Sequence, residues 1–338
     1  MISAQSVLAG DRLALSRLLT AIERGSAEGQ ALLNELFKHT GQAQLIGVTG
    51  APGTGKSSLV NQLAHHYRQP AEGESLRVAI VAVDPSSPFT GGAVLGDRIR
   101  MRDLAGDEGV FIRSMASRGS LGGLAPTTAS MAQAMDAAGY DIIFIETVGA
   151  GQAEVEIAKL ADTTLVVDAP GLGDDVQAIK AGILEVADIL VLNKADRPGV
   201  DSAERALKGM LQLGHPVDRV FRHHGQQAKV VAHDTVADLW IPPIQRTVST
   251  DQAQGIAELA AAIARHRAYL QESGEWERRD RARLETELTA LLGAELMARW
   301  QAATPDDLYT DVLAQLLDRQ LSPSQAVIAL THQGEYSA

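Results

Sequence analysis

Two short clusters in this chain combine the residue types that nucleotide chemistry requires. The first is Gly50-Ala-Pro-Gly53-Thr54-Gly55-Lys56-Ser57-Ser58. Glycines let a loop wrap so that backbone N–H groups point inward at phosphate oxygens. At this spacing Lys56 reaches the β- and γ-phosphates and the Ser57 hydroxyl ligates Mg²⁺. The flanks agree: an apolar run, Leu45–Thr49, precedes the loop, and Leu59, Val60 and Leu63 follow at helical spacing. Strand, Gly-rich loop and helix together form a phosphate-binding context, to which the helix N-terminus adds partial positive charge. The second cluster is Asp188-Ile-Leu-Val-Leu-Asn193-Lys194-Ala-Asp196. A carboxylate at Asp196 can accept from both N1–H and the 2-amino group of guanine, donors that adenine lacks there. Asn193 can hydrogen-bond the guanine edge, and the Lys194 stem can cover the base plane. The tetrapeptide Asn-Lys-x-Asp alone is a weak signal. At a strand end downstream of a phosphate loop it selects GTP over ATP.

Between these clusters lie the segments expected to sense the γ-phosphate. Asp84 closes an apolar run, and Asp97 stands in the Pro/Ser/Gly-rich stretch after it; both are placed to serve the Mg²⁺ shell. Asp97 has a second reading, as the N-cap of a helix over Arg98–Leu104. Glu146 ends the run Ile142–Ile145 where many phosphate-loop proteins carry the Mg²⁺-linked carboxylate. Gly149 would offer its N–H to the γ-phosphate. Ala150 follows it, with Gln152 two further on, so no water-orienting side chain adjoins that glycine and slow unaided hydrolysis is expected. Asp168-Ala-Pro-Gly-Leu-Gly-Asp174 continues to Lys180 as a Gly/Pro-rich, charged loop. The residues alone favour an exposed strand-to-helix connection here over a third switch.

Positioning these groups requires a sheet. Strand-like runs recur at Leu45–Thr49, Val78–Val83, Val110–Ser114, Ile142–Ile145, Thr164–Asp168, Ile189–Leu192 and Ile244–Val248, separated by helical segments. Apolar strands alternating with helices predict an α/β fold with a mostly parallel sheet covered on both faces. The chemical residues then fall at the carboxyl ends of the strands, where such sheets bind ligands. Two or three helices are expected over 3–40, broken near Gly25. After Gly255 the pattern becomes helical, with Leu284, Leu288, Leu291, Leu292, Leu296 and Trp300 on one stripe. The charged block Glu275–Arg283 before that stripe reads as a solvated helix face. The division expected is an N-terminal helical segment (1–42), a nucleotide domain (43–270) and a helical extension (271–338). The extension is too thin for its own core, which favours a homodimer.

Composition narrows the classes. A formal net charge of −12 over 338 residues argues against a nucleic-acid surface. Zero cysteines exclude disulfides and thiolate metal sites and fit a reducing compartment. No apolar stretch approaches the roughly 20 residues of a membrane span. Asp11, Glu23, Glu28 and Glu35 make the N-terminus too acidic for a transit peptide, so a cytoplasmic location is expected and no membrane partner.

Taken in order through residues 46–196, these segments resemble the MeaB/MMAA family, also labelled ArgK, of P-loop GTPases. The pattern GVTGxPGxGKS, VDPSSxxTGGxxLGDxxRM, ETVGxGQxE, PGxGDxxQxIKxG and NKAD is dense and specific. The resemblance implies a SIMIBI-type G domain. It implies a GTP-dependent chaperone that loads and protects an adenosylcobalamin-dependent acyl-CoA mutase of the methylmalonyl-CoA mutase type. A homodimer through the C-terminal helices is implied as well. Residue by residue, Lys56 and Ser57 become the phosphate and Mg²⁺ residues, and Asp84, Asp97 and Glu146 the metal-linked acids. Asn193 and Asp196 become the guanine readers, and Asp174 and Lys180 members of a third switch coupled to the mutase. Ser249 and Thr250, ahead of Gly255, become the second guanine-side loop, in which relatives usually carry Ala or Gly where Thr250 stands. Pro88 and Phe89 fall where they vary. His223, His224 and His233, within 215–240, read as a surface loop. No Asp-x-His-x-x-Gly signature for cobalamin is present, so cofactor handling would act through the mutase. Three alternatives remain: a nickel-type metal-insertion GTPase, which usually has a Cys-bearing motif or His-rich tail; an ArgK-type kinase, for which no acceptor base is evident; and a signal-recognition-type GTPase, which would call for a Met-rich domain. The client mutase, the water-activating group, and whether GTP binding or hydrolysis gates transfer are not written in these residues.

Overall fold

The structure is a computed structural model describing residues 2–71, 73–85, 101, 103–104, 106–117, 124–147, 158–171, 186–213, 239–250 and 253–331. At positions 84–85, 116–117, 124–125 and 212–213 only the backbone is described. Asp97, Gly149, Ala150, Gln152, Asp174, Lys180, Pro88, Phe89 and the three histidines at 223, 224 and 233 lie outside the described residues, as does the Asp84 side chain.

Three helices open the chain: α1 (Ala4–Leu8), α2 (Arg12–Glu23) and α3 (Ala27–Leu36). Each starts where a side-chain oxygen satisfies an orphan N–H of the first turn. Ser3 accepts from Ser6, Asp11 from Leu13 and Ala14, and Ser26 from Gly29. The sheet follows, with strands β1 (Gln44–Thr49), β2 (Val78–Pro85), β3 (Val110–Ser117), β4 (Ile142–Thr147), β5 (Thr163–Asp168), β6 (Ile189–Leu192) and β7 (Ile244–Arg246). Its spatial order is β3-β2-β4-β1-β5-β6-β7, and every neighbouring pair is parallel. Among the described residues the helices between strands include α4 (Lys56–Arg68), α5 (Leu124–Ala137) and α6 (Val200–Leu213), and α7 (Ile256–Glu272) follows β7.

Alternation along the strands divides the core into two layers. Ala79, Val81 and Val83 of β2 and Ile143 and Ile145 of β4 meet Leu15, Leu18, Leu33 and Leu36 of α2 and α3, together with Met131 and Met135 of α5. Ile46, Val48, Val78, Ile80 and Phe144 point the other way, onto Leu59 and Leu63 of α4 and Leu259 and Ile263 of α7. The N-terminal helices therefore cover one face of the sheet, and the helix that leaves the phosphate loop covers the other.

The chain divides into two compact units, residues 1–283 and 284–338. The boundary falls within α8 (Glu275–Ala303). In the second unit, α9 (Asp306–Leu317) and α10 (Pro323–Thr331) pack around Trp300, whose Nε1 donates to the Leu330 carbonyl at 3.0 Å. Among the described residues of this unit the buried ones are Val312 and Ala326, a core of two small side chains. Among the described residues no helix is long and apolar enough to cross a membrane.

One expectation fails. The charged block at the start of α8 is not a uniformly solvated face, because Arg279 and Arg283 turn inward onto Asp188 and Asp162. Helical periodicity shows which residues are charged; it does not show that their counter-ions wait at the amino ends of β6 and β5.

Candidate nucleotide site

The carboxyl ends of β1, β4, β5 and β6, together with the turn after β7, meet at one edge of the sheet. β1 delivers the phosphate loop. Gly50 has φ +138°, and a Cβ there would collide with the Val167 carbonyl oxygen of β5, so the loop leaves the strand only with glycine. Gly55 sits left-handed at φ +94° as the N-cap of α4, and an added Cβ would lie 2.5 Å from Asn193 Nδ2. Thr54 Oγ1 donates to the Ala51 carbonyl at 2.9 Å and braces the turn.

Lys56 is buried, and its ammonium donates to the carbonyls of Gly50 at 2.7 Å and Ala51 at 3.0 Å. A phosphate oxygen in this loop would give that ammonium a charge-assisted partner stronger than a neutral carbonyl. Ser57, one residue on, donates its hydroxyl to Glu146 Oε1 at 2.6 Å, and both residues are buried. A hydroxyl and a carboxylate converging beside a helix N-terminus make a hard-oxygen pair of the type Mg²⁺ prefers. Thr147 and Thr49 close the gap between β4 and β1 at 3.4 Å.

The Asn-Lys-x-Asp residues arrive on the other side. Asn193 is fully buried, and its amide is engaged from both ends. Nδ2 donates to the Thr54 carbonyl at 2.8 Å and to Ser249 Oγ at 2.9 Å. Oδ1 accepts from Thr247 Oγ1 at 3.1 Å and from the Ser249 N–H at 3.3 Å. Lys194 adopts φ +56°, and its ammonium donates to the Gly53 carbonyl, laying the side chain across the phosphate loop. Asp196 is exposed, and among the described residues its carboxylate has no hydrogen-bond partner. Ser249 is buried and Thr250 exposed. The structure thus brings together Gly50, Gly53, Thr54, Gly55, Lys56, Ser57, Glu146, Asn193, Lys194 and Ser249. Ser58, exposed in the first turn of α4, makes no hydrogen bond to this cluster among the described residues.

Sequence reasoning missed Thr247. Its hydroxyl fixes the Asn193 amide, but a lone threonine at a strand end carries no distinguishing signal. Asp168 also gains a property invisible in sequence: burial at the end of β5 raises its carboxyl above the usual range, against the backbone donor Ala169 N–H.

The family model for the methylmalonyl-CoA mutase-associated GTPase MeaB matches residues 15–305. The chain belongs to the MeaB family. A putative GTPase of Pyrococcus horikoshii is 42% identical to this MeaB-family chain over 317 residues, covering 94% of this chain and 92% of that protein. The GTPase ArgK of Escherichia coli is 36% identical over 269 residues, 78% of this chain and 75% of that one. The methylmalonic aciduria type A homolog, mitochondrial, of Caenorhabditis elegans is 29% identical over 311 residues, 88% of this chain and 73% of that one. Among solved structures, that of an LAO/AO transport system kinase aligns with a TM-score of 0.67 at 25% identity, covering 97% of this chain and 94% of that one. With its parallel sheet and flanking helices, this MeaB-family protein is a P-loop GTPase.

Proposed function

We propose that this GTPase uses Mg²⁺ and GTP to gate the loading and protection of an adenosylcobalamin-dependent acyl-CoA mutase of the methylmalonyl-CoA mutase type. The mutase part rests on the family's description as mutase-associated and on the name of the nematode relative. The guanine part rests on one observation, the Asn193 amide bonded to the Thr54 carbonyl, which brings Asn-Lys-x-Asp against the phosphate loop.

In this reading Lys56 leaves the Gly50 and Ala51 carbonyls for the β- and γ-phosphates. Ser57 and Glu146 hold Mg²⁺, joined by Asp84 and Asp97, and the ion supplies charge neutralisation to the transferring phosphate. Gly149 donates its N–H to the γ-phosphate. Asp196 accepts from the guanine edge, while Asn193 sets the geometry. Lys194 covers the base from the loop side, and Ser249 and Thr250 close the far side. Asp174 and Lys180 report nucleotide state to the mutase, whose preference for one switch arrangement shifts the population. Residues 43–270 form the nucleotide domain, preceded by the helical segment 1–42. The extension 271–338 joins two copies in a homodimer.

The test is GTP turnover by the purified protein, alone and titrated with methylmalonyl-, isobutyryl- and 2-hydroxyisobutyryl-CoA mutases. Slow basal turnover that rises and saturates at a fixed ratio with one mutase is expected. Turnover indifferent to all three overturns the chaperone reading while leaving the GTPase intact.

A further inference from the structure

The amino-terminal edge of the sheet, opposite the nucleotide site, holds buried charges that GTP chemistry does not use. Asp162 and Asp188 precede β5 and β6, and both are buried. Asp188 Oδ2 accepts from the Thr164 N–H at 2.8 Å, and its two carboxylate oxygens accept from Arg279 at 2.8 and 2.9 Å. Asp162 Oδ2 accepts from the Leu45 N–H at 2.8 Å, and Oδ1 accepts from Arg283 at 3.1 Å. The same arginines reach backbone: Arg279 donates to the Asp162 carbonyl at 2.6 Å and Arg283 to the Leu160 carbonyl at 3.0 Å. His266 of α7, with no exposed surface, sits 3.3 Å from Asp188 Oδ1, and Trp240 Nε1 donates to the Asp188 carbonyl at 2.8 Å. The first turns of α8 are therefore seated on β5 and β6 by charge, in a planar two-bond grip that lysine cannot reproduce.

β6 has four residues, all buried, and is hydrogen-bonded to β5 on one side and β7 on the other. Asp188 flanks its start and Asn193 its end, about 17 Å apart at the usual rise per residue. A short strand locked on both edges has little freedom to bend or stretch, so displacement at one end is felt at the other. Resting on the guanine-nucleotide reading above, we infer that the Arg279–Asp188 clasp positions the guanine-reading end of β6. Seated α8 holds the strand where Asn193 closes on Thr54 and Ser249; by linkage, nucleotide bound at that end tightens the clasp. Arg279 is a positioning residue, more than the length of β6 away from the nucleotide.

The experiment uses the full chain: titration with a fluorescent GDP analogue for wild type, Arg279→Met, Arg279→Lys and the exposed neighbour Arg278→Met. Hydrogen exchange across residues 275–283 is followed with and without GDP. Arg279→Met is expected to raise the dissociation constant about 5- to 30-fold, a usual span for coupled sites. Arg279→Lys falls between, and Arg278→Met matches wild type. GDP slows exchange in residues 275–283 of wild type and not of Arg279→Met. A folded Arg279→Met with a lowered melting temperature and wild-type GDP affinity overturns the inference, since a merely structural clasp behaves that way. Should that variant fail to fold, wild-type exchange decides: protection by GDP at 275–283 supports the clasp, and its absence overturns it. A wild type that binds no guanine nucleotide overturns the site reading itself, and this inference with it.

Discussion

Asn193 Nδ2 lies 2.8 Å from the Thr54 carbonyl oxygen, so the residue after β6 closes the phosphate loop that follows β1. With Ser249 and Thr247 bonded to the same amide, one side chain joins three segments of the site. Asn193→Ala leaves the Thr54 carbonyl and two hydroxyls without that partner in a buried place, and an unmet buried group costs about 1–3 kcal/mol. The expected result is a loss of about 2–4 kcal/mol in urea unfolding, with GDP affinity reduced at least about tenfold. An Asn193→Ala protein with unaltered stability and affinity would remove the amide from its role as the tie.

Gly55 is the other half of that contact. Alanine there must accept φ +94°, and its methyl meets Asn193 Nδ2 at 2.5 Å. Left-handed strain alone costs about 1–3 kcal/mol. Gly55→Ala is expected to lose nucleotide affinity by pushing Asn193 off Thr54. By contrast Gly53→Ala, where an added Cβ meets nothing within 4 Å, carries the strain without the collision. Equal losses in the two variants, measured by GDP titration, would show that the approach of Asn193 is irrelevant.

The Ser57–Glu146 pair predicts how metal dependence divides. Ser57→Ala removes one hard oxygen and leaves Lys56 in place, so nucleotide should still bind while Mg²⁺ no longer strengthens binding. Glu146→Gln keeps the shape and loses the charge, and GTP turnover should fall about 10²- to 10³-fold, as for loss of one electrostatic group at a reacting centre. Titrating GDP with and without Mg²⁺, beside single-turnover hydrolysis, separates the two. Ser57→Ala protein that retains full Mg²⁺ enhancement would move the ion elsewhere.

The carboxylates at the amino edge give a pH test. Burial opposes ionisation of Asp188, yet His266 and Arg279 beside it outweigh burial and hold its carboxyl well below the ordinary range. A depressed folded-state value stabilises the fold above the unfolded aspartate value of about 3.9 and is lost as pH falls below it. Asp188→Asn should therefore cost about 2–3 kcal/mol at neutral pH, because it removes the counter-ion of half-buried Arg279. The gap from wild type should narrow below about pH 4. Melting temperatures of the pair from pH 7 down to acid check the sign, and a gap that widens in acid refutes it.

Much of this was legible in sequence because it is local. Gly50 to Ser57 declares strand, loop and helix within a dozen residues, and the apolar spacing over 3–40 marks the helices that precede the first strand. What stayed hidden depends on partners far along the chain. Arg279 and Arg283 look like solvent-facing charges because Asp188 and Asp162 lie 91 and 121 residues away in sequence. Asn193 was recognisable as a base reader, but its amide partners, Thr54 and Ser249, are set by the order in which strands enter the sheet. Glu146 stands between these cases. Its place at the end of an apolar run marked it, and the parallel register of β1 with β4 brought it to Ser57.

The second unit sets up the last prediction. Along α8, Leu284, Leu288, Leu291, Leu292 and Leu296 recur at helical spacing and are exposed, Leu288 by 67% and Leu292 by 55%. Tyr309, Leu313 and Leu317 of α9 and Val327 and Ile328 of α10 are exposed too. Among the described residues of this unit, the two buried side chains Val312 and Ala326 cannot offset the ordering entropy of its three helices, and apolar area on this scale marks a surface that meets another. A homodimer through the extension 271–338 is the reading proposed for it. Leu288→Glu with Leu292→Glu places two charges in the centre of the stripe, where each anchor lost costs about 2 kcal/mol or more. The dimer dissociation constant should rise at least about 100-fold, with GTP turnover retained. Sedimentation equilibrium reads the mass directly: wild type near twice the 35.8 kDa of one chain and the double variant near one. A double variant that stays dimeric would place the contact on another surface and leave this stripe for a different partner.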